Sequence, residues 1–354
     1  GMAASLAELR LPVASRRAVR EAAGGVKRKA EDEAARPEGG SESTSAGCAA
    51  SDAEDVAGDA PPPCEPRDVP EGPKPPKAYK NSDFLNSYDA RWIRVMCELQ
   101  EPGQRLGAQG VDNVVMFFGS ARAKPRAEYE AAVRQAEARA AGDPGDAAAR
   151  GALARLRKQA FLVPMFDVTR ELARMVTEWS RGRAAAGQPS YLVGSGGGPG
   201  MMQAANEGAH RAGGRSVGFG ISLPFEDRLN PYVTPDLAFE FHYFFTRKFW
   251  MSYKCMGLVV APGGLGTCDE LFEVITLMQT GKIKRQLPVI LIGKQFWQSC
   301  LNWQAFVEYG MISEHDANQI IFADTADEAF RHLVDGIGRL EEAEKLKRAA
   351  ALGQ

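Results

Sequence analysis

The chain has little that would suit it to a disulfide scaffold, a membrane span or a nucleic-acid surface. Its six cysteines (Cys48, Cys64, Cys97, Cys255, Cys268 and Cys300) include no Cys-x-x-Cys pair and no neighbouring histidine cluster. That scatter argues against a zinc site or a disulfide framework and leaves reduced thiols. No apolar run reaches the ~18 residues that a spanning helix needs, and no continuous signal-peptide core stands near the N-terminus. Charge of one sign is lacking too: 43 Lys and Arg face 45 Asp and Glu, a net of −2, with the signs interspersed. A duplex nucleic acid therefore finds no broad basic face, whereas a small anionic ligand remains admissible. A soluble, cytoplasmic protein is the expectation.

Aromatic residues are missing from Gly1 to about Lys77, a stretch of Ala, Gly, Pro, Ser, Glu and Arg. Such a segment cannot bury enough apolar surface to offset its ordering entropy, so residues 1–77 are expected to form a disordered tail. Gly1 ahead of Met2 reads as a remnant of tag removal and is left out of the fold reading. The Arg, Ala and Ser of Met2–Arg20 faintly resemble an organelle transit peptide and Val26–Lys29 a nuclear signal; a plain solvated tail accounts for both. The 354 residues would ordinarily suggest two or so domains, but the rest of the chain, 78–354, holds nearly all the Phe, Trp, Tyr and Ile, and one sizeable core is the economical reading.

Within that part, short β-branched or aromatic runs alternate with longer amphipathic stretches. This is the pattern of parallel strands joined by crossover helices, and it predicts a doubly wound, mostly parallel, Rossmann-like three-layer α/β domain. Predicted strands cover Val114–Phe118, Tyr191–Val193, Ser216–Phe219, Ala238–Phe241, Gly257–Val260 and Pro288–Ile292, the last clear core strand. Predicted helices cover Ser82–Leu99 (with Trp92, Ile93, Met96 and Cys97 at helical spacing), Met201–Ala212, Phe245–Lys254, Thr267–Thr280, Lys294–Tyr309 and Ala326–Ala349. A long helical region from Pro125 to Arg183 is broken by the low-complexity stretch Ala140–Gly151, taken as an insertion, whose Gly-Asp-Pro-Gly reads as a surface loop.

Three features carry chemistry. The run Gly194-Ser195-Gly196-Gly197-Gly198-Pro199-Gly200-Met201 follows a strand and opens a helix. Its glycines let backbone N–H groups approach an anion at the helix's positive end, although a tight packing turn explains it equally well. Pro262-Gly263-Gly264-Leu265-Gly266-Thr267 repeats the arrangement after a buried strand, without the lysine of a Walker loop. Thr267 and Glu270 stand at the spacing of a capping box, and spacing alone favours the cap over a ligand role for Glu270. Finally, Phe244–Met251 sets Arg247 and Lys248 among aromatics, where a guanidinium must find an anion; a structural ion pair satisfies that need as well. Lys248 lies about 100° round the helix from Arg247, so the two should not share a partner.

Gly196-Gly197-Gly198-Pro199-Gly200-Met201-Met202, then Arg247-Lys248 with Met251, then Pro262-Gly263-Gly264-Leu265-Gly266-Thr267 ending in Glu270, resemble in order and spacing the Lonely Guy family of cytokinin-activating phosphoribohydrolases, long labelled lysine decarboxylases. Phe225, Asn230-Pro231-Tyr232, Phe239–Phe244 and Gln279–Ile283 look like its longer, type II branch. The resemblance runs from about Val114 to Gly293. Leu265 stands where the family often has an aromatic, and Cys268-Asp269 replaces a commoner apolar-acidic pair. The resemblance implies hydrolysis of an N6-modified adenosine 5′-monophosphate to base and ribose 5-phosphate, with Arg247 and Glu270 catalytic. Ser120, Gly197, Gly198, Gly200, Met201, Lys248, Gly263, Gly264, Gly266 and Thr267 are assigned to substrate binding, and no metal or cofactor is called for. It also implies a homodimer, in some members a hexamer. Two rivals stay open: a non-catalytic nucleotide sensor or carrier on the same fold, and a true lysine decarboxylase, for which Lys248 and Lys282 are the only tempting Schiff-base lysines.

Overall fold

The computed structural model describes residues 72–143, 145–223 and 228–352, with the side chains of 351 and 352 left aside. Of the expected tail, 1–71 lie outside the described residues, while 72–77 are exposed and without regular structure. The compact unit Lys74–Gln354 contains everything discussed below.

Seven strands build one sheet: β1 (Val114–Phe118), β2 (Leu192–Ser195), β3 (Ser216–Ile221), β4 (Ala238–Phe241), β5 (Cys255–Val260), β6 (Val289–Ile292) and β7 (Ile320–Ala323). Their order is β4-β3-β2-β1-β5-β6-β7, and every pairing is parallel. β1, β5 and β6 are buried at every position, which is why they read as unbroken apolar runs: helices cover both faces of a parallel sheet. The chain winds outward from β1 to β4, then returns to β1's other side with β5. The crevice beyond the carboxyl ends of β1 and β5 is thus the topological switch point, where open α/β sheets take their ligands.

Twelve α-helices are described: α1 (Ser82–Asn86), α2 (Arg91–Ala108), α3 (Arg126–Gly142), α4 (Ala147–Lys158), α5 (Leu162–Ala185), α6 (Met201–Arg211), α7 (Phe244–Tyr253), α8 (Leu265–Gln279), α9 (Lys294–Cys300), α10 (Trp303–Glu308), α11 (Glu314–Asn318) and α12 (Ala326–Leu352). Close packing of α5 on α6 depends on Gly208, where an added Cβ would lie 2.1 Å from the Arg170 carbonyl oxygen. On α2, Glu98 accepts hydrogen bonds from the backbone N–H groups of His242 (2.8 Å) and Tyr243 (3.4 Å), and its carbonyl accepts the Trp250 indole N–H (2.9 Å). A carboxylate at the positive end of α7 orients the helix that carries Arg247.

On α2, Trp92 is 74% exposed and Met96 51%, and Ile93 and Cys97 are exposed too, whereas Val95, Pro102 and Leu106 are buried. The helical region breaks at Gly-Asp-Pro-Gly as expected: α3 ends at Gly142 and α4 begins at Ala147, capped by Asp146, which accepts the N–H groups of Ala148 and Ala149; the alanines on either side favour helix. And a seventh strand, β7, follows the one read as the last; its four residues between polar flanks are too short a run to announce an edge strand.

Candidate active site at the carboxyl edge of the sheet

The two glycine loops meet through Ser120, two residues past the end of β1. Its N–H donates to the Pro262 carbonyl (3.0 Å), and its own carbonyl accepts the Met201 N–H (3.1 Å). Gly200 makes that approach possible: its φ is +71°, and an added Cβ would lie 2.3 Å from the Ser120 carbonyl oxygen. Ser120 Oγ accepts the Arg122 N–H (3.1 Å). Ser120 therefore stitches the loops together. Met201 has a packing position, with its N–H spent on Ser120 and its side chain buried beside Phe166 and Ala261.

Helix α8 starts at Leu265 with Gly264 as N-cap and no side-chain cap. The capping box favoured by spacing is not formed, because Thr267 already lies inside the first turn, folded over Gly263. The first-turn N–H groups of Leu265, Gly266 and Thr267 consequently have no acceptor among the described residues. Gly264, Leu265 and Gly266 are exposed, and around Gly264 and Gly266 an added Cβ would meet nothing within 4 Å. An uncapped helix start with open space in front suits an anion.

Glu270, freed from capping, pairs with Arg247: Nη1 and Oε1 are 3.2 Å apart, and both side chains are largely buried. Arg247 Nε also donates to the Phe219 carbonyl at the end of β3 (2.7 Å). Its Nη2 lies so close to Gly196 that an added Cβ there would sit 2.5 Å away. One guanidinium thus ties the ends of β2 and β3 to α8. Burial raises the pKa of Glu270, with Arg247 pulling in the opposite direction. Lys248 takes other partners, Asp269 (2.8 Å) and Glu273 (2.9 Å), so the two cations do not share one. The lysine braces α7 against α8.

Sequence reasoning gave no role to Ser195, Asn206 or Asn230, which underpin the first loop. Asn230 Nδ2 donates to the carbonyls of Gly197 (3.0 Å) and Gly198 (3.1 Å) and to Asn206 Oδ1 (2.9 Å). Asn230-Pro231-Tyr232 stood out as part of the family resemblance, which gave no hint of the loop that Asn230 holds.

Two cavities lie at the opposite, amino-terminal edge. One of about 770 Å³ is lined by Asn113, Arg183, Tyr191 and Glu341. Its polar groups satisfy one another: Arg183 Nη2 is 2.6 Å from Glu341 Oε1, and the Tyr191 hydroxyl donates to the same oxygen. Size alone does not make it the reacting site.

Residues 202–333 match the family model described as possible lysine decarboxylase. Over 103 residues, 28% of the chain, it is 34% identical to the cytokinin riboside 5′-monophosphate phosphoribohydrolase LOG1 of Arabidopsis thaliana. Over these spans the chain is similar to the Lonely Guy family. It spans about half the length of that curated relative, 47%. Among solved structures, the molybdenum cofactor binding protein of the phototrophic bacterium Rippkaea orientalis is 19% identical, with 49% of this chain and 87% of that one covered and a TM-score of 0.35. The structural-genomics target TM1055 is 23% identical, with 47% and 84% covered and a TM-score of 0.32. The span matched by the family model includes Arg247, Glu270 and the second glycine loop.

Proposed function

We propose that the chain is a phosphoribohydrolase that cleaves the N-glycosidic bond of an adenosine-type nucleoside 5′-monophosphate, with N6-substituted adenine the favoured base. The observation that carries this reading is the buried Arg247–Glu270 pair beside an uncapped, solvent-facing helix start at the switch point of the sheet. The 5′-phosphate docks on the free amides of Leu265, Gly266 and Thr267. At ~1.5 Å of rise per residue, the backbone of Glu270 lies about 4.5 Å along the axis from Thr267, the scale of a ribose. Its carboxylate then faces the sugar, where positive charge develops as the bond to the base breaks. Water supplies a hydroxyl to C1′ and a proton to the departing base. Arg247 holds the carboxylate ionised and in place.

A decarboxylase reading has less support. A Schiff-base lysine works best with a lowered pKa. Burial alone would lower that of Lys248, but the bonds to Asp269 and Glu273 outweigh it and the pKa is raised; Lys282 is exposed. A homodimer read from the same resemblance would cover the exposed Trp92, Met96, Phe249 and Tyr253. A monomeric mass by light scattering contradicts it.

If the phosphate anchors the sugar, removing it should be costly. Adenosine should be turned over with a kcat/KM lower than that of adenosine monophosphate by about 10³-fold, the scale of a lost multi-donor anion contact. Equal rates for the two, followed by release of adenine, would remove the anchoring role from α8.

A further inference from the structure

We infer that Asn230 is a positioning residue that sets the Gly197–Gly198 peptide so that the Gly198 N–H is presented to the bound sugar phosphate. The inference rests on the phosphoribohydrolase reading. Asn230 is buried, and the orientation of its amide is fixed from both ends: Oδ1 accepts the Tyr232 N–H (3.2 Å), which turns Nδ2 toward the loop. There Nδ2 meets the carbonyls of Gly197 and Gly198 and Asn206 Oδ1. The Asn230 N–H also donates to the Gly197 carbonyl (2.7 Å).

The network closes behind it. Asn206, fully buried, accepts the Ser195 hydroxyl (2.7 Å) and donates to the Val217 carbonyl (3.4 Å), and Ser195 Oγ accepts the Gly197 N–H (3.0 Å). Such a connected, satisfied network holds one loop geometry firmly. The preceding Leu229 adds shape: Cβ atoms at Gly197 and Gly220 would lie 2.7 and 2.5 Å from it, so the glycines and the leucine fit as one unit.

The consequence follows from peptide geometry. Among the described residues no peptide bond is cis. In a trans peptide the N–H points opposite to the C=O. With the Gly197 carbonyl held on Asn230, the N–H of the same peptide unit, on Gly198, is directed away from Asn230. Gly198 is buried, yet its N–H has no acceptor among the described residues. A buried amide without an acceptor is costly, and a docked ligand oxygen relieves the cost. Pro199 has no N–H and the Gly197 N–H is held by Ser195 Oγ, so across 197–199 Gly198 is the free donor.

The test uses the full chain and two readouts. Asn230→Asp keeps size but sets a carboxylate against two carbonyls. It should raise KM for adenosine monophosphate about tenfold or more, equivalent to ~1.4 kcal/mol of lost binding, while kcat changes far less. In the wild type, the ¹H–¹⁵N signal of Gly198 should shift on titration with ribose 5-phosphate. Active wild-type protein whose Gly198 signal stays put overturns the inference. So does a folded Asn230→Asp variant with unchanged KM. Wild-type protein that neither hydrolyses any nucleoside monophosphate nor responds to ribose 5-phosphate overturns the functional reading instead. If the variant does not fold, the wild-type titration still decides.

Discussion

Glu270→Gln is expected to lower kcat for a nucleoside monophosphate by about 10²–10³-fold, the range for losing one charged group aimed at a developing transition-state charge. Gln keeps the volume and can still accept a hydrogen bond from Arg247, so the loss reports charge and not packing. The wild-type pH profile carries the same information. Burial holds the Glu270 pKa above its ordinary value of 4.5. The working form is the carboxylate, so activity is full above the raised pKa and falls as pH drops through it. The acid limb of kcat should therefore lie above 4.5, and in Glu270→Gln it should vanish into the residual rate. Steady-state kinetics of both proteins from pH 4 to 8 checks this; a variant with the wild-type rate returns Glu270 to a structural role.

Arg247→Met should damage both stability and rate. The guanidinium neutralises Glu270, bonds the Phe219 carbonyl and lies against Gly196. Its removal leaves a buried carboxylate without its counter-charge, a change that typically costs ~3–5 kcal/mol. For a domain of this size that is a fall in Tm of roughly 6 °C or more. Without the cation, the Glu270 pKa rises further and the acid limb of any remaining activity moves to higher pH. Arg247→Lys keeps charge but not the fork that reaches three elements at once, and should recover stability better than rate. Thermal melting by circular dichroism at neutral pH, beside kcat and KM, checks both; a melting point and a rate like those of the wild type would show that Glu270 does not depend on Arg247.

Where sequence sufficed and where it failed has a physical pattern. β1 and β4 fall where they were read, because buried parallel strands must be apolar throughout or nearly so, and β2, β3, β5 and β6 differ only at their ends. β7 escaped notice because four residues at an edge carry little periodic signal. The apolar stripe Trp92, Ile93, Met96 and Cys97 was legible as one helical face, but not its exposure, since periodicity reports which residues share a face and not what covers it. At the site, both glycine loops and the residues Arg247 and Glu270 were visible as local motifs. Their contact was not, because it is made between two helices with β5 between them. The capping rule misled for a related reason: α8 starts two residues before Thr267, on an uncapped glycine, and that freed Glu270 for Arg247. Asn206 and Asn230 lie 24 residues apart and share a hydrogen bond that no spacing rule foresees.

The claim on which all this depends is that the bond broken joins base to sugar. Chromatography of adenosine monophosphate after incubation with the full chain measures it directly. Free adenine and ribose 5-phosphate should accumulate in equal amounts, at a rate proportional to protein and about 10²–10³-fold lower in Glu270→Gln. Intact nucleotide after long incubation, or adenosine with inorganic phosphate in place of adenine, would contradict it.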